Sequence, residues 1–330
     1  LYNACALRDP GSKRWITEAH RTQCIYWGQR VEISFEKQQE ITQNLKTQIE
    51  TIRFGNRKSL ESVTKLFDSW DCVVENLDSK KSKIVNNVFV DKMRRVSESC
   101  TADIRDFTNT IIQRSIDLCK QPQPCKFAAV AMGLLARGET TPYSDLEFLF
   151  LVEEKTSDNI EYFRLLAMTI YFLIGNLGET TLDYMDIREL SGWFKDCAKS
   201  GFKIDGLQKK AGNIPTGNGR RNTKNCFIVT PDELKGRYNY VLNNPDDKLA
   251  LQGDLTSMLR MSRMIFGHGD SAFKMYEEFL TFLSDCPVPE QRKAINLKML
   301  KSDSAKFDFA PSDERDRKST RLNSSHVKRS

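Results

Sequence analysis

The hydrophobic pattern of the chain changes its period abruptly at residues 121–124. Between residues 29 and 120, apolar side chains recur every three or four positions, which is the spacing of amphipathic helices; examples are Ile41, Leu45, Ile49 and Ile52, and Ile104, Phe107, Ile111 and Leu118. The two prolines of 121–124 end this pattern, and Phe127 to Met132 is a short apolar run typical of a buried strand. The chain must therefore combine a helical N-terminal part with a sheet.

Further elements follow from the same kind of pattern. A second strand is predicted for Asp145 to Val152, because Leu146, Phe148 and Phe150 alternate with the residues between them. A helix is expected over 157–174, a loop-rich stretch with one or two more strands over 175–225, and a helix starting at the capping box of Thr230 and Glu233. Three more helices are predicted, at about 246–266, 270–284 and 289–306.

These elements predict an α+β fold, with a small mixed β-sheet core between N-terminal and C-terminal helical regions. We place the N-terminal helical region at 1–120, the α/β core at 121–230 and the C-terminal helical region at 231–310. Within the first region, the Phe54-Gly-Asn56 and Asp78-Ser-Lys-Lys81 segments have the composition of connections between helices.

The basic character of the chain depends on its last residues. The segment 316–330 resembles a translated sequencing-library adapter, and we expect it to lie outside the fold. Without it, the 50 basic and 44 acidic side chains fall to 45 and 43. The net charge therefore supplies no argument for a nucleic-acid partner.

Cysteine and hydropathy patterns indicate the compartment. The nine cysteines form no Cys-x-x-Cys pair and only three histidines are present, so a zinc site is not expected. The longest apolar run, 165–174, is far shorter than the roughly 20 residues that cross a bilayer. We expect a cytoplasmic protein with reduced thiols and no membrane partner.

The residues with the clearest chemical potential lie between the two predicted strands. Asp145 and Glu147 are two apart, so on a strand both side chains project from one face. Two carboxylates on a rigid element supply the hard oxygen ligands that Mg²⁺ prefers. Upstream, Gly133 follows a strand and opens a turn whose backbone N–H groups could approach a phosphate.

The segment that contains these residues resembles a known catalytic domain. The shared pattern comprises Gly133, Arg137, Glu139, the run Thr141-Pro-Tyr-Ser144, Asp145 and Glu147. It is similar to the nucleotidyltransferase domain of the polymerase-beta superfamily, and most similar to the branch of the bacterial PII-protein uridylyltransferases and their eukaryotic relatives. The likeness continues through Gly192 to Gly206 and, with the helical substrate-binding region of that branch, to about residue 290.

The resemblance implies a set of site residues. Asp145, Glu147 and Asp205 are expected to be catalytic and to bind two Mg²⁺ ions, and Gly133, Arg137 and Ser144 are expected to hold the nucleotide. Asp186 is the competing candidate for the third acid. As an alternative to binding the nucleotide, Arg137 could form an ion pair with Glu139 or with Asp145.

The implied function is Mg²⁺-dependent transfer of a nucleoside monophosphate from a nucleoside triphosphate to an acceptor, which could be a protein. One position departs from the family pattern, because Leu134 stands where the family has a serine that contacts the triphosphate. Losing such a hydrogen bond costs roughly 1.5–3 kcal/mol. The alternative is therefore a weak or inactive descendant that serves as a scaffold or nucleotide sensor.

Overall fold

A computed structural model of the chain describes residues 33–74, 79–119, 121–177, 201, 202, 204, 227–244, 263–267 and 270–285. These residues form six helices and a four-stranded mixed sheet, so the predicted α+β class is confirmed. None of the helices in this described part is long and apolar enough to span a bilayer.

The N-terminal part is a pair of helices of 40 residues each, α1 (Phe35–Val74) and α2 (Ser79–Leu118). Their apolar stripes meet in a shared core; its members include Ile41, Leu45 and Ile49 of α1 and Ile104, Phe107 and Ile111 of α2.

The first connection predicted in this region is wrong, and the second is wrong at residues 79–81, while Asp78 lies outside the described residues. Helix α1 runs through Phe54, Gly55 and Asn56 without a break, and Ser79 to Lys81 are already helical. A glycine inside a helix costs only about 1 kcal/mol, which burial of the helix face outweighs. Asn56 is buried and donates to Asp103 Oδ2 of α2 at 3.4 Å, so it joins the two helices.

The sheet has the strand order β3-β2-β1-β4. Its strands are β1 (Phe127–Ala131), β2 (Phe148–Val152), β3 (Ile228–Val229) and β4 (Arg263–Gly267). Strand β1 is antiparallel to both neighbours, β2 and β4, whereas β2 and β3 are parallel.

Four further helices accompany the sheet. They are α3 (Gly133–Arg137), α4 (Ser157–Asn176), α5 (Pro231–Asn243) and α6 (Asp270–Asp285). The predicted capping box is present at the start of α5, where Thr230 and Glu233 exchange hydrogen bonds of 3.2 and 3.3 Å. The predicted helices over 157–174 and 270–284 are also confirmed.

The two faces of the sheet have separate cores. Alternate residues of β1 and β2 point to opposite sides, as a strand requires. One face, with Phe127, Phe148 and Phe150, packs with α1, α2 and α4; the other, with Val130, Leu149 and Leu151, packs with α5 and α6. Because both faces are covered, every residue of β1 and β2 is buried.

Two predicted boundaries are wrong. The helix predicted for 246–266 cannot include its end, since residues 263–267 form β4 and pair with β1. The second strand begins at Phe148 rather than Asp145. Before it, Leu146 forms an isolated parallel bridge to Ile204. Three predicted regions lie outside the described residues: the remainder of the predicted helix, 246–262, the helix at 289–306, and most of 175–225.

Candidate functional site

The turn after β1 depends on a glycine conformation. Met132 is extended, and Gly133 then takes φ 58° and opens the single-turn helix α3. The helix ends at Arg137, and its C-cap Gly138 has φ 79°. Residues with a Cβ rarely adopt these angles, so Gly133 allows the tight turn that follows β1 and Gly138 allows the chain to leave α3.

Glu147 occupies the space beside Gly133. An ideal β-carbon built on Gly133 would lie 2.6 Å from Glu147 Cδ and even closer to one carboxylate oxygen. The backbone is fixed at the same point, since the Met132 N–H donates to the Glu147 carbonyl oxygen at 2.9 Å. The glycine turn and this carboxylate are therefore in direct contact, which spacing in the sequence cannot show.

Asp145 and Glu147 lead into β2 with side chains that solvent reaches partly. Leu146 and Phe148, by contrast, are buried in the core shared with α2 and α4. This alternation supports the prediction that the two carboxylates lie on one side of the chain. Asp145 Oδ1 has almost no contact with solvent.

Ser144 closes the turn that precedes Asp145. Its N–H donates to the Thr141 carbonyl oxygen at 3.0 Å, and its hydroxyl oxygen accepts from the Thr141 N–H at 2.9 Å. The two hydroxyls of Thr141 and Ser144 are 3.0 Å apart. Ser144 is 1% exposed and its hydroxyl is engaged inside the turn; a contact of Ser144 with the nucleotide stays a prediction.

Arg137 ends α3 and pairs with Glu139. Its Nε lies 2.9 Å from Glu139 Oε2, which is one of the two carboxylate partners left open by the sequence. The Arg137 side chain is 21% exposed and that of Glu139 57%. A half-exposed ion pair of this kind is weak enough to open for a phosphate.

Two residues at this site were missed by the sequence analysis, Arg53 and Thr101. Arg53 of α1 donates from Nε and Nη2 to the Pro142 carbonyl oxygen, both at 3.4 Å, and its guanidinium carbon lies 4.5 Å from the centre of the Tyr143 ring. Thr101 of α2 accepts from the Thr140 N–H at 3.3 Å. No local pattern signals these contacts, because 89 residues separate Arg53 from Pro142.

The described cysteines are not suited to nucleophilic chemistry. Burial raises the pKa of Cys100 to about 12, with a further contribution from the Asp103 charge, and burial raises the pKa of Cys119 to about 11. The pKa of the Cys125 thiol is also raised by burial. Thiols with raised pKa values remain protonated near neutral pH and react slowly.

The candidate third acids, Asp205 and Asp186, lie outside the described residues. Ile204, which precedes Asp205 in sequence, pairs with Leu146 in parallel. Among the residues that the structure describes, no group of three or more histidine, cysteine, aspartate or glutamate side chains could hold a metal. The donor chemistry at the site is thus two carboxylates with hard oxygens, which suits Mg²⁺ bound together with phosphate oxygens.

Comparison with known proteins covers the part of the chain that contains this site. No curated protein matches the chain. The matched segment begins within α2 and extends through the glycine turn, both carboxylates and α4. Residues 82–180 match the model of the family described as Putative nucleotidyltransferase DUF294, which supports a nucleotidyltransferase domain in this part of the chain.

Proposed function

We propose that the chain is a Mg²⁺-dependent nucleotidyltransferase that moves a nucleoside monophosphate from a nucleoside triphosphate to an acceptor. The observation that carries the proposal is the contact between Glu147 and the Gly133 turn. It brings a carboxylate proposed to bind metal against the glycine turn that is proposed to hold the triphosphate. The match of residues 82–180 to a nucleotidyltransferase family supports it.

The residues act mainly by positioning and by neutralising charge. Asp145 and Glu147 hold the metal, and Asp205 is the proposed third ligand. When bound, Mg²⁺ supplies positive charge to the triphosphate oxygens. Arg137 leaves Glu139 to bind the triphosphate, and the Gly133 turn is the second proposed contact of the nucleotide.

The proposed reaction is an in-line displacement at the α-phosphorus. An acceptor oxygen forms a new bond to this phosphorus, and the bond from phosphorus to the oxygen that bridges the α- and β-phosphates breaks. Pyrophosphate leaves with the electron pair of that bond. The proton of the acceptor passes to Asp205, as a general base. The uridylyltransferase-like pattern makes a protein one candidate acceptor.

Nucleotide binding by the full chain tests the proposal. Isothermal titration with ATP, UTP, CTP and GTP, each with and without Mg²⁺, should show Mg²⁺-dependent binding of at least one of them. The variant Asp145→Asn/Glu147→Gln should lose it. Glu277→Gln/Glu278→Gln removes two exposed carboxylates of α6 instead and should bind normally. Failure of the folded protein to bind any nucleotide would contradict the proposal.

A second candidate function, a nucleotide sensor or scaffold without transfer, is favoured by Leu134. This residue follows Gly133, is 37% exposed and has no hydroxyl to donate to a phosphate. Pyrophosphate release, measured with and without cell extract as a source of acceptors, separates the two functions. Mg²⁺-dependent binding with release supports the transferase, and binding without release supports the sensor. Leu134→Ser should raise the rate of release about tenfold or more if the missing hydrogen bond limits catalysis.

A further inference from the structure

Both N-terminal helices hold the segment Thr140–Tyr143. Thr101 of α2 accepts from the Thr140 N–H at its start, and Arg53 of α1 contacts Pro142 and Tyr143 at its end. Thr101 is 1% exposed and is itself held by a 2.7 Å hydrogen bond to the Ser97 carbonyl oxygen. The two anchors therefore come from a rigid, packed helix pair.

The contacts of Arg53 use the shape of its guanidinium group. Two of its nitrogens, Nε and Nη2, donate to one carbonyl oxygen, that of Pro142. The same group lies over the Tyr143 ring at 4.5 Å. Lysine cannot reproduce this, because its ammonium is a compact point charge without a planar face.

The path from Tyr143 to the carboxylates is short and hydrogen-bonded. Ser144 follows Tyr143 and closes the turn with Thr141, and Asp145 comes next. The Tyr143 N–H also lies 3.4 Å from Thr141 Oγ1. Because these hydrogen bonds hold the turn together, a shift of Tyr143 also moves the backbone of Asp145.

From this geometry we propose that Arg53 is a positioning residue, which fixes Asp145 for metal binding by holding Pro142 and Tyr143. The inference rests on the proposed function, and it makes the N-terminal helix pair part of the catalytic unit. In this role Arg53 acts through the turn rather than as a nucleotide ligand.

The test uses matched variants of the full chain. Arg53→Met keeps the aliphatic stem but removes the guanidinium group, and Tyr143→Leu removes the ring. Arg57→Met makes the same chemical change at an exposed position one turn further along α1.

We expect Arg53→Met and Tyr143→Leu each to lower kcat on the order of tenfold to a hundredfold, since small displacements of catalytic groups have effects of this size. Metal affinity should fall as well, measured as the Mg²⁺ concentration that gives half-maximal rate. The KM for nucleotide should stay within about twofold, because no nucleotide contact is removed. Arg53→Lys should not restore kcat, whereas Arg57→Met should resemble the unmodified protein.

Two kinetic results would overturn the inference. A large rise of the nucleotide KM in Arg53→Met with unchanged metal dependence would make Arg53 a nucleotide ligand. Additive effects of Arg53→Met and Tyr143→Leu in the double variant would show that the two side chains act separately.

Hydrogen exchange separates failure of this inference from failure of the proposed function. In Arg53→Met, amides of residues 140–147 should exchange faster while those of α4 keep their protection. This readout needs no enzymatic activity, so it tests the anchor even in a protein that transfers nothing. Unchanged exchange at 140–147 would refute a positioning role for Arg53.

Discussion

The carboxylate of Glu147 lies against the α-carbon of Gly133, in the space that a β-carbon would occupy. The positive φ of Gly133 and this contact are two separate reasons for glycine at the position. A side chain there would push away one of the two carboxylates proposed to bind metal. The contact therefore joins the stability of the turn to the chemistry of the site.

Gly133→Ala should destabilise the protein by about 2–4 kcal/mol, from the left-handed backbone and from displacement of Glu147. Urea unfolding measures this change. Combining it with Glu147→Ala should recover part of the loss, because only the backbone strain then remains. An alanine variant as stable as the unmodified protein would contradict both the backbone strain and the steric conflict with Glu147.

Gly55→Ala should have the opposite effect and stabilise the protein by about 0.5–1 kcal/mol. Gly55 lies inside α1, is exposed, and nothing lies within 4 Å of an added β-carbon. The same urea experiment applies, with Gly236→Ala in α5 as a second open helical position. Destabilisation would argue for a break in α1 near residue 55, as the sequence predicted.

Ser144→Ala should lower the free energy of unfolding by about 1–3 kcal/mol, because the Thr141 N–H and hydroxyl lose a buried partner. Ser59→Ala is the matched control, since Ser59 on α1 only bonds back to the Gly55 carbonyl oxygen at 3.1 Å and is exposed. That control should change stability by less than about 0.5 kcal/mol. Equal effects of the two variants would contradict a structural role for the Ser144 hydroxyl.

The buried thiol of Cys100 should make stability fall at alkaline pH. Its pKa is about 12 in the folded protein and 9.0 without burial, so between these values the unfolded state releases its proton first. The stabilisation by the protonated Cys100 thiol is fully present below pH 9 and is lost as the pH rises above 9. The free energy of unfolding therefore falls by about 1.4 kcal/mol between pH 8 and pH 10.

Urea unfolding at these two pH values, compared between the unmodified chain and Cys100→Ala, isolates this effect. The alanine variant should lose less stability over the interval, whatever its stability at pH 8. Equal losses in both proteins would show that the Cys100 thiol ionises as readily in the folded state as in the unfolded one.

Local signals in the sequence predicted much of the secondary structure. The Thr230 capping box begins α5, the two prolines of 121–124 precede β1, and the apolar spacing of 157–174 describes α4. Each signal acts through hydrogen bonds and side chains only a few residues apart. Such interactions are similar in any fold that contains the segment, so the sequence alone is enough to identify them.

Other features depended on partners far along the chain. Residues 263–267 become a strand because β1 offers them an edge to pair with, and Gly55 stays helical because the face of α1 is buried against α2. At the site, one short motif predicted Gly133 and Glu147 as site residues. Their contact with each other, and the contact of Arg53 with Tyr143, form only when distant segments pack together. Long-range pairing is decided by the sum of all contacts in the folded state, and no single stretch of sequence carries that information.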